Sequence, residues 1–275
     1  MTVVKQIKAR ETQDIVKKSS ESIKTVVVLC LPRSGSSLLA GILYRLGVWM
    51  GELKDMRLGR HTNIYGNYEN QDFYRANLKI LARAKSTTLS WADIPDDAKV
   101  KDAVTYFRPL LKGLIEKNSK KLWGWKDPVC VFALPYYEDL LPNPCYIALK
   151  RNVDSVVKSH MESGRFLEWH NTMRYMVRYM NIVTLFRIFI RILKYYITKG
   201  MLFNNFDAIK KIKNEGYKRI DEFIRTRKHI TIIFEEMVKN PRQTIEQIIK
   251  FLEINPTQKQ INKAIGFIDP NEIHH

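Results

Sequence analysis

A strand that runs into a glycine- and serine-rich turn and then into a helix is the feature that most constrains the fold. Residues Thr25–Leu31 form a near-continuous apolar run, typical of a buried parallel strand. The turn at Pro32–Ser36 is followed at once by a helical pattern over Ser37–Leu46. Such a turn aims backbone N–H groups and the positive end of a helix dipole at one point. Arg33 adds a fixed charge and the serines add hydroxyls, so the turn is suited to a phosphate or a sulfate.

Three further apolar runs predict strands, and the segments between them predict helices. The strands are Lys121–Trp125, Cys145–Lys150 and His229–Phe234, and the last two are continuous enough for a sheet covered on both faces. The helices are residues 97–117, 153–160, most of 166–227, and 241–252, with Asn240 as N-cap and Pro241 as first helical residue. This alternation predicts an α/β fold with a central parallel sheet and a site at the carboxyl ends of its strands.

A kinase or nucleoside triphosphatase P-loop is the obvious alternative for the first turn. That motif requires a glycine, four residues, and then Gly-Lys followed by Ser or Thr. Here Cys30 occupies the position of the first glycine and Ser36 that of the lysine, so the lysine's grip on the β- and γ-phosphates is lost. The nearest strand-end aspartate for magnesium, Asp127, belongs to a different motif. The residues therefore disfavour a kinase acting on a small molecule.

The same turn resembles the 5′-phosphosulfate loop of sulfotransferases that use 3′-phosphoadenosine-5′-phosphosulfate (PAPS). That loop reads Pro-Lys/Arg-Ser-Gly-Thr/Ser-Thr/Ser before a helix, and residues 32–37 match it at every position. The resemblance implies a P-loop-containing nucleotide-hydrolase-like three-layer sandwich, PAPS as co-substrate and no metal. It also implies that Arg33 contacts the bridging and sulfuryl oxygens. The implied ligands of the 5′-phosphosulfate are the hydroxyls of the last two serines and the backbone amides of Ser34, Gly35, Ser36, Ser37 and Leu38.

A second anion contact is implied at the end of the third predicted strand. The family places an arginine there and a serine eight residues later, and the two converge on the donor's 3′-phosphate. Arg151 and Ser159 have that spacing. An arginine makes a two-pronged contact with a phosphate, and a serine two turns into the next helix completes it. On its own the pair would indicate a surface contact, but together with the first motif it favours a 3′-phosphorylated donor.

The end of the second predicted strand resembles the Lys-Asp-Pro segment of bacterial-type and carbohydrate sulfotransferases. Lys126 and Asp127 are its two charged residues. The resemblance implies that Lys126 offsets charge that builds on the bridging oxygen during transfer. Asp127 is expected to position the acceptor substrate or to pair with Lys126. A strand-end ion pair without a catalytic role is the alternative.

The acceptor hydroxyl needs a base, and residues 66–73 resemble the family's Gly-Tyr-Phe-Glu-Asp/Asn segment. Glu69 is the expected general base and Asp72 the second choice, ahead of Glu52 and His61. A carboxyl group works well near neutral pH only when burial raises its pKa. A helix N-cap in this acidic, asparagine-rich stretch is the alternative.

The rest of the chain predicts one domain over residues 1–275 with a helical insertion at 165–228. We expect the insertion to shape the acceptor pocket or an oligomer face. Within it, Met173–Phe203 is apolar but interrupted by arginines, so it predicts amphipathic helices facing the core, a partner or a membrane surface. The family's Arg-Lys-Gly loop, which covers the 3′-phosphate in many cytosolic members, is absent. Its absence points to the bacterial-type branch.

Composition sets the remaining expectations. The formal net charge of +18 attracts anions, but the basic residues are spread along the chain. The three cysteines form neither a disulfide framework nor a zinc pattern, and no apolar leader or transmembrane stretch is seen. We therefore expect a cytoplasmic sulfotransferase that modifies a hydroxyl or amine of a carbohydrate, lipid or small metabolite and releases adenosine 3′,5′-bisphosphate. Peripheral membrane contact stays open and no specific nucleic acid is expected; a non-catalytic polyanion-binding protein is the alternative.

Overall fold

The computed structural model describes residues 23–52, 56–57, 66, 68–86, 94–162, 182, 186, 190 and 206–268. Its centre is a parallel sheet of four strands in the order β4-β1-β5-β6, and a short antiparallel pair, β2-β3, forms a second sheet. All four predicted strands are present. The strands are β1 (Lys24–Leu29), β2 (Met56–Arg57), β3 (Glu69–Asn70), β4 (Leu122–Lys126), β5 (Pro144–Lys150) and β6 (His229–Ile233).

Helices connect the strands, as the sequence pattern predicts. Pro241 begins its helix with Asn240 as N-cap, although the Asn240 side chain donates to Glu236 rather than capping the helix. Within the predicted insertion, residues 182, 186 and 190 are helical and exposed, and one long helix is described; the other residues of 163–205 lie outside the described part. The helices are α1 (Ser36–Arg45), α2 (Gln71–Arg83), α3 (Asp97–Asn118), α4 (Cys130–Ala133), α5 (Val153–Glu162), α6 (Phe206–Ile224), α7 (Phe234–Lys239), α8 (Pro241–Leu252) and α9 (Gln258–Ile265).

Two apolar cores lie on opposite faces of the sheet. Successive side chains of a strand point to opposite faces, so Val27 and Leu29 of β1 pack with α2, α3 and α6, while Val26 and Val28 pack with α1 and α8. Both sets of side chains are fully buried. This arrangement of helices, sheet and helices confirms the predicted three-layer α/β sandwich.

β6 corrects one expectation. Its isoleucine-rich sequence predicts a strand covered on both faces, but only Ile232 is buried, and His229, Thr231 and Ile233 are exposed. The reason is position, because β6 ends the order of the described strands and pairs with β5 alone. A run of isoleucines therefore reports strand propensity here and not two-sided burial.

The position of β1 determines which loops meet. β1 lies between β4 and β5 and is parallel to both, so the turns that follow the three strands leave the same edge of the sheet. Val28 of β1 is paired with Lys126, and Leu29 with Ala148. The three motifs of the sequence are thereby brought to one place.

Gly35, at the head of α1, gives a first prediction. Its φ is +85°, and an added Cβ would lie 2.2 Å from ring carbons of Phe234. Gly35→Ala should therefore lower the free energy of unfolding by about 1–3 kcal/mol, because it combines a strained backbone with a steric clash. The measurement is the urea midpoint of the purified protein.

Gly113 provides the matched control for this substitution. It lies inside α3, and an added Cβ would meet nothing within 4 Å. Gly113→Ala should raise the stability by about 0.5–1 kcal/mol, as expected for an unhindered helix position. Shifts of the same sign for the two variants would contradict this account of the turn.

Candidate active site

The turn after β1 has the backbone of an anion-binding nest. Arg33 (φ 71°) and Gly35 (φ 85°) both adopt the left-handed conformation, which turns neighbouring N–H groups toward a common point. Ser36 begins α1, so its amide and that of Ser37 belong to the first turn, where N–H groups have no acceptor within the helix. Ser34 acts differently: its hydroxyl and its amide donate to the carbonyl of Leu31, at 2.6 Å and 3.3 Å. Ser34 thus fixes the turn.

Arg33 joins this turn to the second predicted anion contact. Its Nε donates to Oγ of Ser159 in α5 at 3.2 Å. In return, Nη1 of Arg151 donates to the carbonyl oxygen of Arg33 at 3.2 Å. Residues more than a hundred positions apart are therefore in direct contact at the carboxyl ends of β1 and β5. The structure brings both predicted anion contacts together at this edge of the sheet.

Arg151 is held by neighbours on two other elements. Its amide donates to the hydroxyl oxygen of Tyr217 in α6 at 3.0 Å. The Tyr217 hydroxyl in turn donates to the carbonyl oxygen of Arg151 at 3.3 Å. The adjoining Asn152 amide donates to Glu235 at 2.9 Å. Partial burial lowers the pKa of Arg151, the charge of Glu235 raises it, and the nearby charge of Arg33 lowers it again. Two neighbouring cations that repel each other favour the binding of an anion near both of them.

Lys126 forms a buried ion pair beside the same turn. Its Nζ lies 2.9 Å from Oε1 of Glu69, and their side chains are only 2% and 9% exposed. The same Nζ lies 3.5 Å from Oγ of Ser37 in the first turn of α1. β4 therefore delivers a lysine ammonium group to the head of the helix, although the turn itself has a serine where a kinase P-loop has lysine.

Asp127, the next residue, is fully buried and points away from solvent. One carboxylate oxygen accepts from Nδ2 of Asn77 at 2.7 Å and the other from the amide of Val129 at 3.0 Å. Desolvation by burial raises the pKa of Asp127 to about 6, against the hydrogen bond from Asn77. These contacts fix the chain after Lys126. A buried carboxyl group with both oxygens engaged is a poor magnesium ligand, which disfavours the kinase alternative further.

Asp72 lies in a different setting from Glu69. Its carboxylate pairs with Nζ of Lys117 in α3 at 2.7 Å, on the partly exposed side of α2. The helix N-cap of this stretch is Asn70, whose side chain accepts from the Asp72 amide at 3.0 Å. Of the two predicted bases, the structure brings only Glu69 to Lys126. Of the lower-ranked choices, Glu52 is exposed and His61 lies outside the described residues.

The region that carries these motifs is similar to a known protein family. Residues 25–193, more than half of the chain, match the model of the Sulfotransferase family. The chain belongs to the sulfotransferase family. The matched region contains the turn after β1, the ends of β4 and β5, and the whole of α5. The membership of the sulfotransferase family that the motifs indicate is therefore confirmed.

Solved structures of sulfotransferases are similar at low identity. The sulfotransferase domain of the curacin biosynthetic pathway shares 18% identity, covering 86% of this chain and 75% of that one, with a TM-score of 0.43. The domain from the Synechococcus PCC 7002 olefin synthase shares 18%, covering 90% and 81%, with a TM-score of 0.42. Sulfotransferase STF1 from Mycobacterium tuberculosis H37Rv shares 13%, covering 94% and 75%, with a TM-score of 0.46. A comparison with curated proteins gave no significant match.

None of the helices described is long and apolar enough to cross a bilayer. In the same part of the chain, no three His, Cys, Asp or Glu side chains converge as a metal-binding group.

Sequence reasoning missed three residues that support Arg151 and its neighbour Asn152: Tyr217, Glu235 and Phe234. Tyr217 comes from α6, inside the predicted insertion, so part of that segment supports Arg151. No motif marks it. Phe234 is the last residue of the predicted strand, but in the structure β6 ends at Ile233 and Phe234 begins α7. The position of Phe234 and Glu235 at this strand end is the signal that was available, because strand ends in this fold class carry ligand contacts.

The raised pKa of Asp127 gives a pH prediction. This carboxyl ionises near 3.8 in the unfolded chain and near 6 in the folded protein. Between these values the unfolded chain releases a proton that the folded protein keeps, so rising pH favours unfolding. The contribution is largest below pH 4 and is lost as pH rises through 6, amounting to about 2 kcal/mol between pH 4.5 and 7.

Asp127→Asn should remove this component of the pH dependence. Asn77 is able to rotate its amide and accept from the new side chain, so the variant keeps a hydrogen-bonded pair. Urea unfolding of both proteins at pH 4.5 and 7.0 measures the difference. Parallel stability profiles for the wild type and the variant would show that Asp127 does not titrate in this range.

Proposed function

We propose that this chain transfers the sulfuryl group of PAPS to an acceptor hydroxyl or amine and releases adenosine 3′,5′-bisphosphate. The observation that carries the proposal is the direct contact of Arg33 with Ser159 and of Arg151 with the Arg33 carbonyl. PAPS carries anionic groups at both its 5′ and 3′ positions. Two cationic elements that meet at one edge of the sheet match such a donor better than they match a nucleotide with phosphates at one end only.

The donor's 5′-phosphosulfate is assigned to the turn after β1. Arg33, the amide of Gly35, and the amides and hydroxyls of Ser36 and Ser37 are its proposed ligands. Ser34 and Leu38 are assigned a supporting role, since their amides donate to Leu31 and Gly35 within the turn and helix. The 3′-phosphate is assigned to Arg151 and Ser159.

The transfer step is assigned to the buried pair at the end of β4. The acceptor oxygen attacks sulfur in line, the bond from sulfur to the bridging oxygen breaks, and the 5′-phosphate leaves. Lys126 stabilises the charge that forms on the bridging oxygen. Glu69 takes the acceptor proton. Both carboxylate oxygens of Asp127 accept hydrogen bonds within the protein. Asp127 is therefore assigned the role of positioning Lys126 and not of contacting the acceptor.

Nucleotide binding distinguishes this function from the two alternatives, a kinase and a polyanion-binding protein. Calorimetric titration of the wild type in EDTA should show adenosine 3′,5′-bisphosphate binding at least about 10-fold more tightly than ATP, because only the former engages Arg151. Magnesium-dependent ATP hydrolysis by the purified protein would favour a kinase. Binding of long-chain polyphosphate that is lost with salt, without preference for the bisphosphate, would indicate a polyanion-binding protein.

A further inference from the structure

Phe234 lies at the junction of the two anion-binding elements. It is the first residue of α7, directly after β6, and its side chain is almost completely buried. β6 pairs with β5 so that Ile233 is opposite Lys150. The first residues beyond the two strands are Arg151 after β5 and Phe234 at the start of α7. The register of β5 and β6 therefore brings these two residues next to each other.

One edge of the ring faces the turn after β1. The ring carbons Cδ2 and Cε2 lie 2.2 Å from the place where Gly35 would carry a Cβ. The ring can approach this closely only because Gly35 has no side chain. Phe234 thus defines how near the turn comes to β6.

The face of the same ring supports the guanidinium of Arg151. The Cζ atom of Arg151 lies 4.6 Å from the ring centroid, a distance typical of a cation–π contact. The guanidinium also donates to the carbonyl of Arg33, two residues before Gly35. Phe234 thus contacts the turn at Gly35 and the guanidinium of Arg151, and Arg151 in turn contacts the same turn at Arg33.

These three contacts oppose the electrostatic repulsion between Arg33 and Arg151. Arg33 and Arg151 carry like charges that disfavour each other at this range. Before an anion binds, the aromatic face, the Arg33 carbonyl and the charge of Glu235 hold the Arg151 guanidinium toward the turn. A rigid flat ring between the two elements sets their separation.

We propose that Phe234 is a positioning residue that sets the spacing between the 5′ and 3′ anion contacts and so determines the preference for a doubly phosphorylated adenosine. The inference rests on the proposed function, because it assigns the 3′-phosphate to Arg151. It adds that the preference depends on an aromatic ring which need not touch the phosphate. Leucine or methionine fills the same space but offers no π face to a cation.

The test is the ratio of two dissociation constants, those of adenosine 5′-monophosphate and adenosine 3′,5′-bisphosphate, measured by calorimetry. For Phe234→Leu and Phe234→Met this ratio should fall about tenfold from the wild-type value, as loss of a partly desolvated cation–π contact implies. Phe234→Tyr, which keeps the aromatic face, should retain it. Thermal unfolding identifies variants that have lost the fold. Two aliphatic variants are used so that the test can still be made with one of them if the other does not fold.

A double-mutant cycle tests whether Phe234 acts through Arg151. In the Arg151→Ala background, Phe234→Leu should leave the ratio unchanged, because the group it positions is already gone. A wild-type ratio in both aliphatic variants, or an equal fall in the tyrosine variant, would overturn the proposal. A wild-type protein that binds the two nucleotides equally would instead refute the PAPS assignment itself, so the two failures are distinguishable.

Discussion

Lys126→Met is expected to lower the rate of sulfuryl transfer by about 10²–10³-fold, the loss typical when one donor to a developing oxyanion is removed. Methionine keeps most of the length and volume of the side chain but cannot carry charge or donate a hydrogen bond. Lys126 is the cation that β4 places beside Glu69 and the first turn of α1. The measurement is the release of adenosine 3′,5′-bisphosphate from PAPS in a mixture of sugars, lipids and small metabolites as acceptors.

The buried position of the pair requires a second variant. Removing Lys126 alone leaves the Glu69 carboxylate buried without its cation, which costs on the order of 3–5 kcal/mol of stability. Lys126→Met combined with Glu69→Gln removes both charges and should recover much of that stability while staying inactive. Lys117→Met, which breaks the surface ion pair with Asp72, is the matched control and should keep wild-type turnover. Activity in the stable double variant would exclude Lys126 from the transfer step.

Glu69→Gln is expected to lower turnover by about 10²–10⁴-fold, the range for loss of a general base. Glutamine keeps the shape of the side chain and a carbonyl oxygen for Lys126 but cannot accept the acceptor's proton. Adenosine 3′,5′-bisphosphate should still bind, because neither assigned phosphate contact is changed. Turnover and calorimetric binding measured on the same preparation separate the two effects.

Asp72→Asn is the control for the choice of base. Asp72 is three residues away in the sequence, but its carboxylate pairs with Lys117 on the outer side of α2. We expect less than about a twofold change in turnover, with a stability effect within 1 kcal/mol, as for exposed ion pairs. If Asp72→Asn proved the more damaging of the two substitutions, the base would have to be reassigned.

The sequence predicted the elements and motifs whose signal is local. β1, the turn and α1 are adjacent in the chain, so their residue types and order suffice to define an anion-binding turn. The eight-residue interval from Arg151 to Ser159 is likewise read within one strand and one helix. The topology then follows from alternation, since parallel strands joined by helices bring their carboxyl ends to one edge.

What could not be predicted depends on contacts between distant segments. Glu69 and Lys126 are 57 positions apart, and only the fold shows that they form a buried pair while Asp72 does not join them. The amide of Ser34 was expected to bind the donor, but the tightness of the turn directs it to Leu31. Tyr217 supports Arg151 from a helix that has no motif. The sequence predicts more burial of β6 than the structure shows. Burial of a strand depends on its place in the strand order, which no single segment of the sequence reveals.

We propose that two cationic elements at the carboxyl ends of neighbouring strands bind one nucleotide at both of its phosphorylated ends. The decisive experiment is calorimetric titration of wild type, Arg151→Ala and Ser159→Ala with adenosine 3′,5′-bisphosphate and with adenosine 5′-monophosphate. We expect the bisphosphate to bind the wild type about 10–100-fold more tightly than the monophosphate, as one or two charge-assisted hydrogen bonds allow. Arg151→Ala should abolish most of that preference and Ser159→Ala part of it, with monophosphate binding nearly unchanged. Equal affinity of all three proteins for the bisphosphate would contradict the account.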